Sequence, residues 1–407
     1  MTHNTTFDPT GAAFTADRFT VYRALRDENP VARTVINDEE TYVLTRYADV
    51  SRTFKTPRAR VQPVAGEFPK KIGDGPASQF YRFSLPELDP PTHTRLRKLA
   101  SSAFSTRAVA SMRGWVEQII TAGIDRLAET DTDYDFVAEF ATRVPAEIAC
   151  RLLHAPMADA HTVLEQMPAL NGVLGHGEIS AETLAAADKS AQFYIDYIGD
   201  IVDTLRGTLS SDDAVGALLE AEEDGSKLTR TELIITLVGF FVASYHTTMV
   251  AMTNAVYALA SHRDQLGKLA TNPELAPKTW EEVLRYLSPV HFVQRYAGED
   301  MDFSGHTVPA DAQMLLAISA ANRDDRFFAD PDRFDIERDN SRQLAFAAGG
   351  HFCLGAPLSR IEGGIFLRQL GQRLPDIRLA HEPEWGTNFT FPSIGSLLVH
   401  NGRVQGA

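Results

Sequence analysis

Cysteine, cationic charge and unbroken apolar runs are what this 407-residue chain has least of. Its two cysteines, Cys150 and Cys353, are too few for a disulfide framework. Cys150 lies in the apolar stretch AEIACRLL and reads as core filler, which leaves Cys353 to be explained. The 39 Lys and Arg stand against 54 Asp and Glu, a formal charge of −15, so nucleic acid is not expected as the main partner: phosphate binding needs concentrated positive surface. Arg95, Arg97 and Lys98 form one small basic patch. No run of about 18 apolar residues appears, and MTHNTTFDPTGAAF has neither a basic n-region nor an apolar h-region. A cytosolic enzyme that does not use a membrane is the expectation. The chain also lacks a Gly-x-Gly-x-x-Gly fingerprint for flavin or nicotinamide, and any Pro/Gly/Ser-rich linker or repeat. Length alone suggests two or three units, but uninterrupted amphipathic patterning favours a single domain over 1–407.

What is present is mostly helical periodicity. Residues 17–28 read as an amphipathic helix, and 32–45 as two strands around an Asp/Glu-rich turn. The stretch 56–88, with five prolines and Phe68, Phe80, Tyr81 and Phe83, is long for a connection and therefore a functional candidate. From 92 to 205 helix follows helix, with breaks at 131–135 and at the Gly-rich 171–178, a candidate lid. A very long helix starts near Leu228 with Thr229 as its cap, and a shorter one covers 277–288. Strands are expected at Phe292–Tyr296, Met301–Phe303 and Met314–Ala317, then an irregular stretch over 322–350, a helix over 354–373 and a hairpin over 388–400. The class is mainly α, one large helical domain with small β-sheets near the N- and C-terminal parts.

The chemistry concentrates at Phe346-Ala-Ala-Gly-Gly-His-Phe-Cys353-Leu-Gly355, just ahead of the last helix. Gly349 and Gly355 permit positive φ and close backbone approach, so the loop can fold tightly against a flat ligand. Cys353 at a helix N-terminus is placed where unpaired amides favour thiolate over thiol. One Cys-His pair is a poor zinc site, since structural zinc takes four ligands. A lone cysteine is usually a small core hydrophobe, but glycines and a histidine at this spacing reverse that weighting.

The segment resembles the haem-binding motif F-x-x-G-x-H-x-C-x-G of the cytochrome P450 family, through Phe346, Gly349, His351, Cys353 and Gly355. The resemblance extends from about residue 17 to 400 and implies a cytochrome P450-like fold, haem b (iron protoporphyrin IX) as cofactor and Cys353 as the iron ligand. A thiolate ligand favours O–O cleavage, and a monooxygenase is implied. It further implies that His351 reaches a haem propionate while Phe346 packs beside the sulfur. Glu282-Val-Leu-Arg285 has the three-residue spacing of a helical ion pair, which alone is ordinary. It resembles the family's E-x-x-R, with Arg333 as the third, structural member. His93 and Arg97, four apart on one helix face, and Arg295 resemble the family's propionate-binding positions, and their cations suit carboxylates.

On the long helix the family shows A/G-G-x-D/E-T-T, whereas this chain has Ala243-Ser-Tyr-His246-Thr247-Thr248. Thr247 is retained, and the resemblance makes its hydroxyl the group that meets dioxygen and steers a proton. Ser244 takes the small-residue position. His246 replaces the acid; as a proton shuttle its pKa suits neutrality, although burial would lower it, and a structural or substrate-binding role weighs equally. The replacement suggests an atypical oxidation such as coupling of aromatic rings.

By the same resemblance the pocket draws on Phe80, Tyr81, Phe241, Val242, Val290, Phe292, Phe391 and Ile394, with His291, Gln294 and Ser393 as polar groups. That lining suits a mid-sized, partly aromatic small molecule of specialised metabolism. Electrons must come from outside, from a ferredoxin and a ferredoxin reductase docking beside Arg95 and Lys98, and the chain is expected to be a monomer. Two rivals are a haem-based gas-binding or sensor protein without turnover and a haem-free helical binding protein.

Overall fold

The computed structural model describes residues 7–36, 39–64, 72–174, 179–223 and 228–402. Local chemistry decides where its helices begin. The Asp17 side chain accepts from Thr20 N and starts the helix Arg18–Glu28. Thr229 and Glu232 exchange side-chain and backbone bonds in a capping box at the head of the central helix Arg230–Ser261. At 32 residues this helix is about 48 Å long. Its most apolar window has a mean hydropathy of 1.7, long and apolar enough to cross a membrane by composition, yet 56% of it is buried in the protein. Leu233, Leu237, Met252, Ala255 and Leu259 pack it against the helices Arg143–Leu152, Ala181–Leu205 and Ala276–Tyr286.

The larger sheet lies to one side of this helical core. Strands β1 (Val31–Ile36) and β2 (Glu39–Leu44) pair antiparallel, with Val31 opposite Leu44. β3 (Ala59–Arg60) forms the far edge on β5 (Phe292–Ala297), and β5 pairs antiparallel with β8 (Gln313–Ala317). β8 then runs parallel to β2, giving the order β1-β2-β8-β5-β3. The apolar run QMLLA makes β8 buried at every residue, as an inner strand covered on both faces must be. β4 (Tyr134–Asp135), β6 (Met301–Phe303), β7 (His306–Val308), β9 (Arg378–Leu379) and β10 (Leu398–His400) complete two small sheets, ordered β4-β10-β9 and β6-β7.

One expected element is different. Residues 388–400 do not form a hairpin: only β10 is a strand, and it pairs with β4 and β9. Asn388 Oδ1 accepts from Thr390 N and Phe391 N in a tight turn, and Pro392 has no N–H to offer a ladder. The expected lid at 171–178 ends in a 3₁₀ turn, Gly172–Leu174, and its residues 175–178 lie outside the described residues, as does Phe68 of the 56–88 stretch.

Candidate functional site

The helix Ala356–Arg373 carries the cysteine loop at its head. It lies against the helices Thr106–Ala128, Arg263–Thr271 and Ala276–Tyr286. The loop is closed by Cys353 N donating to Phe346 O at 2.8 Å and by Phe352 N donating to Gly349 O at 3.2 Å. Gly349 is irreplaceable twice over: its φ is +67°, and a Cβ there would stand 2.2 Å from Phe54 O. Gly355 differs from expectation, with a negative φ and nothing within 4 Å of a Cβ, so it meets no protein group.

Cys353 is surrounded by protein, yet its side chain remains accessible, so it fronts an interior cleft. Burial pushes the thiol up; the Gly355 and Ala356 amides and the Arg97 and Arg360 guanidiniums pull the other way. In the protein alone burial wins, against the expectation that the helix terminus would favour thiolate. Phe346 is buried next to the loop, and Arg360 lies 4.8 Å over its ring. Cys150 is buried and pushed up to about 11, as core filler should be.

Four basic groups from separate parts of the chain gather beside this loop. The rings of His93 and His351 stack with centroids 3.9 Å apart, and His93 Nε2 is buried without a partner. Arg97 Nη2 donates to Phe352 O at 2.5 Å, and Arg295, 6% exposed, donates among the described residues only to Gln294 O. Burial, with Arg295, His93 and Arg97 nearby, depresses His351 to about 3. Burial also lowers His93 and brings Arg295 down to about 10. The two histidines are neutral here, so the charge is that of Arg97 and Arg295, with Glu87 and Asp89 already facing Arg295; the unpartnered His93 Nε2 and the guanidiniums still suit carboxylates. Among the described residues no cluster of three metal-ligating side chains exists. A single accessible thiol flanked by arginines and histidines fits a haem, whose iron brings four of its own ligands and whose propionates are two carboxylates.

The central helix is accessible in its middle as well as at its ends. Ala243 is exposed and Val242, Ser244, His246 and Thr247 are half-buried in that middle stretch. Thr247 Oγ1 donates to Ala243 O at 2.7 Å, leaving its lone pairs free to accept; Ser244 Oγ donates to Phe241 O. His246 sits edge-on to Phe391, 5.7 Å between centroids, and burial alone lowers its pKa, so the ring is neutral near pH 7.

Only part of the expected lining faces the cleft. Val242, Val290 and Phe391 retain accessible surface. Phe241, 1% exposed, turns to Tyr194; Ile394, 1% exposed, is in the helical core. Phe292 joins Phe7, Phe14, Tyr22 and Phe389 in a separate aromatic core. Phe80 and Tyr81 are core residues too, with Tyr81 Oη donating to Leu170 O. His291 is buried on Tyr22, and Gln294 bonds Tyr296.

Glu282 and Arg285 form a fully buried pair, but Arg333 is not its third member. The Arg333 side chain is 61% exposed and reaches Asp335; Arg338 approaches Glu282 instead, at 3.5 Å. Arg333 contributes only its carbonyl, which accepts from Arg285. Nothing local distinguishes these two arginines in the sequence. Glu362 was also overlooked: it is fully buried, bonded by Thr248 Oγ1 at 3.3 Å and pushed up to about 8 by desolvation. A lone acid in the helical run RIEGGIF was the available signal. Arg95, expected at a docking surface, forms an ion pair with Glu232 at the head of the central helix.

Residues 15–274 and 271–374 match the family model for cytochrome P450. The chain is 36% identical over 404 residues to cytochrome P450 107B1 of Saccharopolyspora erythraea, covering 96% of each. It is 35% identical over 363 residues to the mycinamicin IV hydroxylase/epoxidase of Micromonospora griseorubida, covering 88% of each. The solved structure of the cytochrome P450 PksS from the bacillaene polyketide synthase of Bacillus subtilis 168 superimposes with a TM-score of 0.87 at 31% identity, covering 98% of this chain and all of that one.

Proposed function

The chain belongs to the cytochrome P450 family, and from that premise we propose that this haem-dependent monooxygenase oxidises a mid-sized, partly aromatic small molecule of specialised metabolism. What carries the reading is one juxtaposition: the accessible Cys353 thiol on a glycine-tightened loop, flanked by His93, Arg97, Arg295 and His351, with the Ala243–Thr247 stretch also accessible. When bound, haem with a thiolate ligand supplies the oxidising power, using O2 and externally supplied electrons.

The protein's own part is positioning. Cys353 holds the iron, Phe346 packs beside the sulfur, Gly349 shapes the loop, and Gly355 leaves its face clear. His93, Arg97, Arg295 and His351 hold the propionates. Thr247 presents hydroxyl lone pairs, and would release Ala243 O to donate a proton towards oxygen. Ser244 makes the same kind of backbone bond, to Phe241 O, and takes the small-residue position beside it. Val242, Val290 and Phe391 line the substrate side with His246 between them. Relatives bearing the names mycinamicin IV hydroxylase/epoxidase and polyketide biosynthesis cytochrome P450 PksS support a specialised-metabolite substrate. Residues 1–407 act as one monomeric domain in the cytoplasm, supplied by a ferredoxin and its reductase.

A neutral His246 with no acid bonded to it favours a second, finer reading, in which slow proton supply goes with coupling of aromatic rings. Two measurements test these assignments. The reduced carbon monoxide complex should show the red-shifted Soret band of thiolate ligation and lose it in Cys353→Ser; an unchanged spectrum in that variant sinks the iron assignment. Product analysis with a substrate found by spin-state titration separates the finer readings: one hydroxylated product, with rate and product unaltered by His246→Asp, rejects coupling.

A further inference from the structure

About two turns along the central helix from Thr247, roughly 10 Å by helical rise, lies a second cavity. Its volume is about 230 Å³, and it is enclosed by the start of Arg18–Glu28, the far half of the central helix, the end of Ala276–Tyr286 and Trp385. None of Ala243, His246, Thr247, Val290 or Phe391 lines it. The space holds many waters but is smaller than pockets for drug-sized molecules, which limits an occupant to on the order of ten non-hydrogen atoms.

One buried charged group lines this cavity with bonding capacity to spare. Arg18, 8% exposed, lies 5.1 Å over the Trp385 ring and has neither a hydrogen bond nor an ion pair among the described residues. Asn254, 1% exposed, donates Nδ2 to Leu287 O at 2.9 Å, and its Oδ1 is closed off from the cavity space. Of the remaining charged or titratable groups, the Tyr286 hydroxyl makes no hydrogen bond among the described residues and the others are committed. Arg323 bonds Tyr286 O and Asp332 and is sandwiched between Phe19 and Tyr286. His291 is bonded to Tyr22, His262 Nδ1 to Ala258 O, the Tyr257 hydroxyl to Glu382, and Asp17 caps its helix.

We propose that this cavity binds a small organic carboxylate. The carboxylate takes the fork of Arg18, which matches its planar geometry. Trp385 and Phe19 provide aromatic walls for a ring or short chain. One free guanidinium balances one negative charge, and the Asp17 carboxylate in the wall opposes a second, which favours a carboxylate over a phosphate. The site is independent of the oxidation chemistry proposed for Cys353, and an occupant would act from outside the cleft.

Calorimetric titration of the haem-loaded, full-length protein with 4-hydroxybenzoate tests this, run with excess imidazole to occupy the iron side of the cleft. Saturable binding at one site is expected. Arg18→Gln should weaken it by about tenfold or more, the size of a lost charge-assisted bond. 4-Hydroxybenzyl alcohol, which lacks the carboxylate, should bind no better to the parent than to that variant. Ala16→Trp, placed at an exposed position in the cavity wall, should close the cavity and abolish binding while the absorption spectrum stays unchanged; it keeps the test intact if Arg18→Gln folds poorly. Absence of saturable binding up to millimolar acid, equal affinity in the parent and both variants, or loss of binding when imidazole is present would each overturn the proposal.

Discussion

Glu282 grips Arg285 with both carboxylate oxygens, at 2.7 and 2.9 Å, in a place where neither side chain is exposed at all. The pair anchors loops as well as itself. Arg285 donates to the carbonyls of Asn322, Pro331 and Arg333, and Glu282 accepts from Asp335 N and Asn340 Nδ2. The irregular stretch before the cysteine loop, which has little regular secondary structure to brace it, is held to the helix Ala276–Tyr286 through this pair.

Breaking the pair should therefore cost far more than trimming its neighbours. Arg285→Gln leaves a buried acid without its main counter-ion and should destabilise by about 3–5 kcal/mol. Arg338→Ala should cost about 1–2 kcal/mol through lost bonds to the carbonyls of Ala329, Asp330 and Arg333 and the lost approach to buried Glu282. Arg333→Ala, at an exposed side chain, should stay within about 0.5 kcal/mol. Chemical denaturation of the three variants checks the ranking, and a large loss at Arg333 would restore it to the network.

Two adjacent glycines on the cysteine-loop helix should respond oppositely to alanine. A Cβ at Gly363 would stand 2.0 Å from the Trp280 indole, itself fully buried, so Gly363→Ala should overpack the core by about 1–3 kcal/mol or more. At Gly364 nothing lies within 4 Å, and Gly364→Ala should stabilise by about 0.5–1 kcal/mol through helix propensity. Thermal melts of the pair read both signs.

Glu362 should make stability fall with pH. Its carboxyl stays protonated in the fold up to about 8, whereas the unfolded chain releases that proton near the ordinary 4.5. Between those values the native state binds the extra proton, so its contribution is full below about 4.5, declines as pH rises and is flat above about 8. Glu362→Gln should remove this slope, worth on the order of a few kcal/mol across the window. Denaturation midpoints of parent and variant at pH 5 and pH 8 settle the matter; parallel behaviour would mean the acid is not held neutral.

Haem retention should depend on the cationic flank. His93→Leu and Arg295→Gln each remove one partner proposed for a propionate, and each should speed haem transfer to apomyoglobin about tenfold. Lys98→Gln, on the same helix as His93, is the control and should leave the rate alone. If Arg295→Gln retains haem as the parent does, that arginine serves only the sheet in which it lies.

What could be read from residues alone was whatever short-range spacing encodes. The Thr229 cap and the central helix, the paired strands around residues 37–38, the i to i+3 pair Glu282–Arg285 and the glycine-bearing cysteine loop all depend on backbone geometry within a few residues. Gly349 shows the limit even there: the sequence singles out the glycine, but that Phe54 O presses against it is a contact across nearly three hundred residues.

The sequence by itself determined a mainly helical haem-thiolate protein and where along the chain its chemistry concentrates. Only the tertiary structure decided which side chains face that chemistry. Phe241 and Ala243 are two residues apart, yet a 100° step per residue turns one into the core and leaves the other accessible. Phe292 belongs to a core built partly from Phe7 and Phe14, and Arg338 reaches an acid that Arg333 does not. Such choices are made by packing between distant segments, because a side chain's own chemistry leaves its direction open until a neighbour fills the space beside it.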